Sequence, residues 1–231
     1  MKRFWKEVSV TESDDGWQVL LDGRAIKTQS GNQHVLPTRA LAELVAAEFA
    51  AQGEKVDPKS FFHRDMADYA LDVISRERSA TVAKLLEYAE TDTLCYRAEP
   101  DEPLFQRQEE LWEPLLTACE RHHGITFERA SGIMHRPQPE ASLAALGAVL
   151  EREDEFTLAA LTALTSLAAS LVVGMAAMDD AADLPALFAA ANAEQDWQAE
   201  LWGWDWAAEE ARTLKLEAFT RAAEFLKAAR T

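Results

Sequence analysis

Hydrophobic and polar positions follow two different periods along this chain, and the change falls near Pro37. Before it, FWKEVSV, WQVLLDG, RAIKT and HVLP are short runs rich in β-branched and aromatic residues. Asp15-Gly16, Asp22-Gly23 and Ser30-Gly31-Asn32 separate them. Asp-Gly between apolar runs favours a tight hairpin, because glycine takes positive φ without steric cost. The expectation is a small antiparallel meander.

After Pro37 the period lengthens to that of helices. Thr38 is placed to cap a helix whose Leu41, Leu44, Val45 and Phe49 share a face, ending near Gly53. Met66, Tyr69, Ala70 and Val73 mark a second amphipathic helix, and Val82, Leu85, Leu86 and Ala89 a third. TDTLCYR, residues 91–97, breaks the pattern as an extended or turn segment. Pro103 can open a helix to His123 that Gly124 stops, with a kink expected at Pro114. ITFERASGIM reads as one or two short strands. Helices are expected over 139–151, 155–178, 183–200 and 205–229. The last carries a stripe of Ala207, Ala211, Leu214, Ala218, Ala222, Phe225 and Ala229. The fold class is therefore α+β: a small antiparallel β-rich N-terminal unit, residues 1–60, followed by a larger, mostly α-helical domain, 61–231.

One segment raises a membrane question. Thr157 to Met178 is uncharged and long enough to span a bilayer. Only seven of its 22 residues are Leu or Val, six are Ser, Thr or Gly, and both flanks are acidic. The apolar gain of about −2 to −4 kcal/mol is too small for insertion, so a helix buried on all sides is expected. The balance of charge adds to this picture. Forty Asp and Glu against 23 Lys and Arg give −17, which repels a phosphate backbone or an anionic membrane surface. MKRFWKEVSV lacks the apolar core of a secretory signal, so a cytoplasmic place is expected.

Catalytic signatures are scarce, with no phosphate loop, dinucleotide fingerprint, nucleophile elbow or HExxH. Cys95 and Cys119 lie outside any CxxC or Cys/His cluster and read as reduced, buried thiols. His122-His123 precedes Gly124 at a helix end, where imidazole meets the last carbonyls. Neighbouring histidines point about 100° apart and do not readily chelate one metal. His63, Arg64 and Asp65 follow Phe61-Phe62, and Asp92 lies in TDTLCYR between threonines. A small-ligand-binding protein or enzyme with a pocket near His63, Arg64 and Asp92 is the alternative reading. For Asp92 a turn or cap acceptor competes with a catalytic base.

The strongest compositional signal is QDWQAELWGWDW, residues 195–206, which holds four of the seven tryptophans and three carboxylates. Trp197 and Leu201 share a helix face. Gly203 breaks the helix, and Asp205 is placed to start the next. These rings either cement a helix–helix corner or stay partly open as a protein-binding surface edged by carboxylates.

At these residues the chain resembles a known family. AEQDWQAELWGWDW (193–206) is similar to the acidic, aromatic C-terminal segment of the assembly chaperones for the alpha subunit of the F-type ATP synthase. These are mitochondrial assembly factor 2 and its bacterial relatives. FWKEVSV with VLLDGRAIKT, LPTRALAELVAAEFAAQ, TDTLCYR and LFQRQEELWEPLL resemble further blocks of that family in order and spacing. Phe49 stands where the family usually carries Trp, and Gln195 where it is often acidic. The resemblance implies a chaperone with no catalytic residues, cofactor or metal, whose partner is the alpha subunit. The acidic balance argues against a nucleic-acid partner and the make-up of 157–178 against membrane insertion, and a monomer is expected. Glu194 matches the family's important acidic position and is the first candidate for client contact. Asp196, Trp197, Gln198 and Trp202 follow by position. Asp92 and Tyr96 match a block read as structural.

Overall fold

The computed structural model describes residues 2–132 and 134–231. The chain forms two compact units. One holds the chain up to Arg78 with Asp154–Ala160 and Glu224–Thr231; the other holds Ser79–Glu153 and Leu161–Ala223.

In the first unit, β1 (Val8–Ser13), β2 (Gly16–Leu21) and β3 (Arg24–Ala25) form an antiparallel sheet in that order. Val8 pairs with Leu21, and Leu20 with Ala25. The β2–β3 connection is Asp22-Gly23 with φ of 49° and 78°, the two left-handed residues that a tight hairpin needs. Asp22 also accepts the backbone N–H groups of Glu7 and Lys6 at 2.8 and 3.0 Å, which lower its pKa. HVLP contributes a single bridge, Leu36 to Trp17, instead of a strand. Gly16 lies under that bridge: a Cβ there would sit 2.5 Å from the Leu36 carbonyl oxygen. The expected meander is thus three strands plus bridges.

Helix α1 (Arg39–Ala50) packs on β1 and β2. Thr38 caps it by accepting the Leu41 N–H at 3.1 Å. Helix α2 (Phe62–Tyr69) continues through one π turn, Ala70–Ile74, into α3 (Ser75–Glu90). Its buried face differs from the expected one. His63, Ala67, Asp68, Ala70 and Ile74 are buried while Tyr69 and Val73 are exposed. The cause is polar partnering inside the unit. Glu48 accepts the N–H groups of His63 and Arg64 at 2.7 and 3.0 Å, capping α2 from a distance, and His63 Nδ1 lies 3.0 Å from the same carboxylate. Asp68 accepts the Gln29 N–H and lies 3.4 Å from buried His34. Burial pushes Asp68 up to about 6 and His34 down to about 4.

In the second unit, Val82, Leu85 and Ala89 of α3 are buried as the pattern predicts. TDTLCYR becomes a 3-10 turn, Thr93–Cys95, and β4 (Tyr96–Arg97). Helix α4 (Pro103–His123) starts at its proline and stops at Gly124, which has φ 66°. It continues through Pro114, which is exposed and removes one intrahelical donor. β5 (Ala130–Ser131) pairs parallel with β4, and α5 spans Glu140–Leu150.

The segment expected as one helix over 155–178 is two, α6 (Glu155–Ala168) and α7 (Leu171–Ala176). Ala169 takes φ 50°, and Ser170 accepts the Val173 N–H at 3.1 Å to cap α7. Most of both helices is buried. Among the described residues no helix is long and apolar enough to cross a membrane. Gly174 permits close approach, since a Cβ there would meet Thr165 Oγ1 at 2.5 Å.

The expected 183–200 helix is likewise divided into α8 (Leu184–Ala191) and α9 (Ala193–Trp202). The break is Asn192, with φ −110° and ψ 19°, whose amide donates to the Phe188 carbonyl at 2.8 Å. Trp112, fully buried on α4, donates its indole N–H to the Ala190 carbonyl at 2.8 Å. Helix α10 (Trp206–Arg230) closes the order. Along its stripe Ala222, Phe225 and Ala229 are buried, whereas Ala207, Ala211 and Leu214 are exposed.

Candidate binding surface

Helix α9 ends at Gly203, whose φ of 84° and ψ of 159° turn the chain before α10 begins three residues later. A left-handed φ is free of steric cost only for glycine. The corner so formed is open. Trp202 is 78% exposed, Trp206 68%, Trp204 38% and Leu201 56%. Trp197 is half-buried. An apolar surface of this size next to water loses the favourable transfer energy of burial, and such patches mark binding sites.

The carboxylates around the rings are not the free edge that the sequence pattern suggests. Glu200 receives the Arg107 guanidinium of α4 in a two-pronged pair at 2.5 and 2.7 Å, and that hydrogen bond lowers the Glu200 pKa. Asp196 receives Arg212 of α10 in the same manner at 2.7 and 2.6 Å. Glu194 is exposed and accepts from Gln108 Nε2 at 2.8 Å. Gln108 is fully buried, and its Oε1 in turn accepts the Ala98 N–H. Gln198 is exposed. Of the five candidate residues, Trp202 and Gln198 therefore point to solvent. Glu194, Asp196 and half-buried Trp197 brace α9 against its neighbours.

Sequence reasoning missed Arg107, Gln108 and Arg212. They lie 93, 86 and 16 residues from their partners, beyond any local spacing rule. Lys215 adds a further brace, donating to the Asn192 side chain at 3.2 Å, and burial lowers its pKa.

The other candidate chemistry is held in local structure. His63 and Arg64 belong to the first unit and Asp92 to the second. Arg64 pairs with Asp65 at 2.9 Å and lies over the Phe61 ring. Asp92 is sealed: one carboxylate oxygen accepts the Leu94 N–H and the other the Val172 N–H, each at 3.1 Å. It is the cap reading of Asp92 that the geometry fits. An open dish over α4, flanked by Glu110, Glu113, Thr117 and Arg121, includes none of these three residues. Cys95 and Cys119 are free and buried, and burial pushes both thiols up to about 12. Both are protonated and unreactive at neutral pH.

An α+β body that exposes a braced ridge of indoles has the build of a protein that holds other proteins. The chain belongs to the ATP12 chaperone protein family, which matches residues 2–120. The mitochondrial protein atp12 of Schizosaccharomyces pombe is 23% identical over 214 residues, covering 87% of this chain and 74% of that one. The crystal structure of Atp12 from Paracoccus denitrificans is 33% identical, with a TM-score of 0.93 over 99% of this chain and 98% of that one. A candidate chaperone from Agrobacterium tumefaciens is 34% identical, with a TM-score of 0.93 over 98% and 85%. The two structural matches extend through the α9–α10 corner, which lies beyond the family match.

Proposed function

We propose that this chain is an assembly chaperone of the F-type ATP synthase. It holds the unassembled alpha subunit, shields it, and releases it into the catalytic head. In this reading the chain performs no reaction, needs no cofactor, and works as a monomer in the bacterial cytoplasm. Membership of the ATP12 chaperone family supports it, and so do the five sequence blocks similar to alpha-subunit chaperones.

The observation that carries the reading is the exposure of Trp202 and Trp206 beside Leu201. Tryptophan is enriched where few residues carry most of a binding energy, and a folded protein has no internal use for rings left in water. Glu194, Asp196, Trp197, Gln198 and Trp202 are the proposed contact set, with Trp202 and Gln198 touching the client and the others holding them in place.

Co-purification with a tagged alpha subunit expressed without its beta partner tests this. The expected result is a complex of the two chains that a Trp202→Ala variant, folded as judged by its unfolding midpoint, forms at least tenfold less. Failure of the unsubstituted chain to bind the alpha subunit would overturn the proposal.

A further inference from the structure

Two of the four tryptophans at the corner already carry an arginine, and both do so in the same way. Arg107 lies 5.7 Å from the Trp197 ring centroid while its guanidinium pairs with Glu200. Arg212 lies 5.8 Å from the Trp204 ring while it pairs with Asp196. An indole face and a carboxylate together fit a planar guanidinium: the ring takes its face, and the carboxylate takes its forked edge.

Trp202 and Trp206, the two most open indoles of the corner, have no such cation among the described residues. Trp206 opens α10, and Glu209 and Glu210 follow at i+3 and i+4, the spacing that places side chains on one helix face. Helical side chains lean toward the N-terminus, the direction in which Trp206 lies from both carboxylates. Both are exposed, and among the described residues neither is paired with a cation.

The charge around them points the same way. From Ala193 to Glu217 there are seven acidic residues against two basic ones, Arg212 and Lys215. Arg212 is already matched by Asp196, and the α4 cation Arg107 by Glu200. The corner therefore keeps a surplus of negative charge beside its open indoles, and a cationic partner is the one that relieves it.

We propose that Trp206, Glu209 and Glu210 form a receptor for an arginine side chain of the bound partner. Leu201, Trp202 and Leu214 supply the adjoining apolar ground. The occupant is an amphipathic segment whose polar side carries arginine. This inference rests on the client-holding reading and gives that surface its chemistry.

Synthetic peptides with one fixed apolar pattern and arginine, lysine or citrulline at the polar positions test it. They are titrated onto the full chain and followed by tryptophan fluorescence. The arginine peptide is expected to bind about tenfold tighter than the citrulline peptide, with lysine between. The double variant Glu209→Gln/Glu210→Gln, isosteric and on an exposed face, is expected to lose that preference. Absence of binding, equal affinity for the three peptides, or an unchanged preference in the double variant overturns the receptor. In a parallel pull-down, alpha subunit captured by the unsubstituted chain and about tenfold less by the double variant supports it. Equal capture by both overturns the receptor and leaves client holding intact. If the unsubstituted chain captures no alpha subunit, the client reading fails, and the peptide series still decides the receptor.

Discussion

Asp92, in TDTLCYR, has both carboxylate oxygens occupied by backbone N–H groups and no contact with water. Trp202, in AEQDWQAELWGWDW, has most of its surface in water. Both stretches resemble blocks of one family, and both set an acid among large or apolar side chains. Similarity of a block marks each equally. What separates them is whether the groups are satisfied within the chain. The turn at Asp92 closes on itself: its acid joins the start of the Thr93–Cys95 turn to the start of α7. The corner at Gly203 closes only at its back, through Arg107 and Arg212, and leaves its front unsatisfied. A residue whose needs are met internally serves the fold, and one whose needs are unmet is free to serve a partner.

The comparison is broken most forcibly at the sealed side. Asp92→Ala removes the acceptor of at least two buried N–H groups, those of Leu94 and Val172. Each orphaned donor costs roughly 1–3 kcal/mol, so a loss of about 2–6 kcal/mol is expected in urea or thermal unfolding. Any loss of client capture should then parallel the fraction unfolded. A stable variant that failed in capture would move Asp92 to the functional side.

A smaller effect appears in the pH dependence. Burial pushes Asp92 from 3.8 up to about 6, so over that window the folded chain holds a proton the unfolded chain has released. The contribution of this group to stability is full below the unfolded value and is lost as pH rises through the folded one. Relative to Asp92→Asn, which does not titrate, the unsubstituted chain should gain about 2 kcal/mol between pH 7 and 4.5. Unfolding midpoints of the two proteins at both pH values check this. Taking the difference between them cancels the opposite trend of His34, held down to about 4 by burial.

The two regions also differ in how far the sequence revealed them. The N-terminal hairpins were legible because Asp22-Gly23 and period-two alternation are local signals, and the Thr38 cap was legible for the same reason. The buried face of α2 was not, because His63 and Asp68 count as polar until Glu48 and His34 are known to lie beside them. The break at Ala169-Ser170 was hidden in an uncharged run of small residues. At the corner, the rings, Gly203 and the start of α10 could be read directly. The arginine clamps could not, since a pair 93 residues apart leaves no periodic trace. The sequence therefore located the apolar ridge and misjudged which of its carboxylates were free.

The mildest substitution is the sharpest test of the open side. Trp202→Ala removes a ring that is 78% exposed, so little buried area changes and stability should stay within about 0.5 kcal/mol. It makes none of the braces that hold α9, which run through Glu194, Asp196 and Glu200. If the ridge holds the client, capture of the alpha subunit should fall at least tenfold while the unfolding midpoint does not move. The opposite pairing, normal capture with a lowered midpoint, would make Trp202 a packing residue and put it with Asp92. That outcome would transfer the client surface to another part of the chain. Because fold and capture are expected to separate only at an unsatisfied residue, Trp202 divides the two explanations where Asp92 cannot.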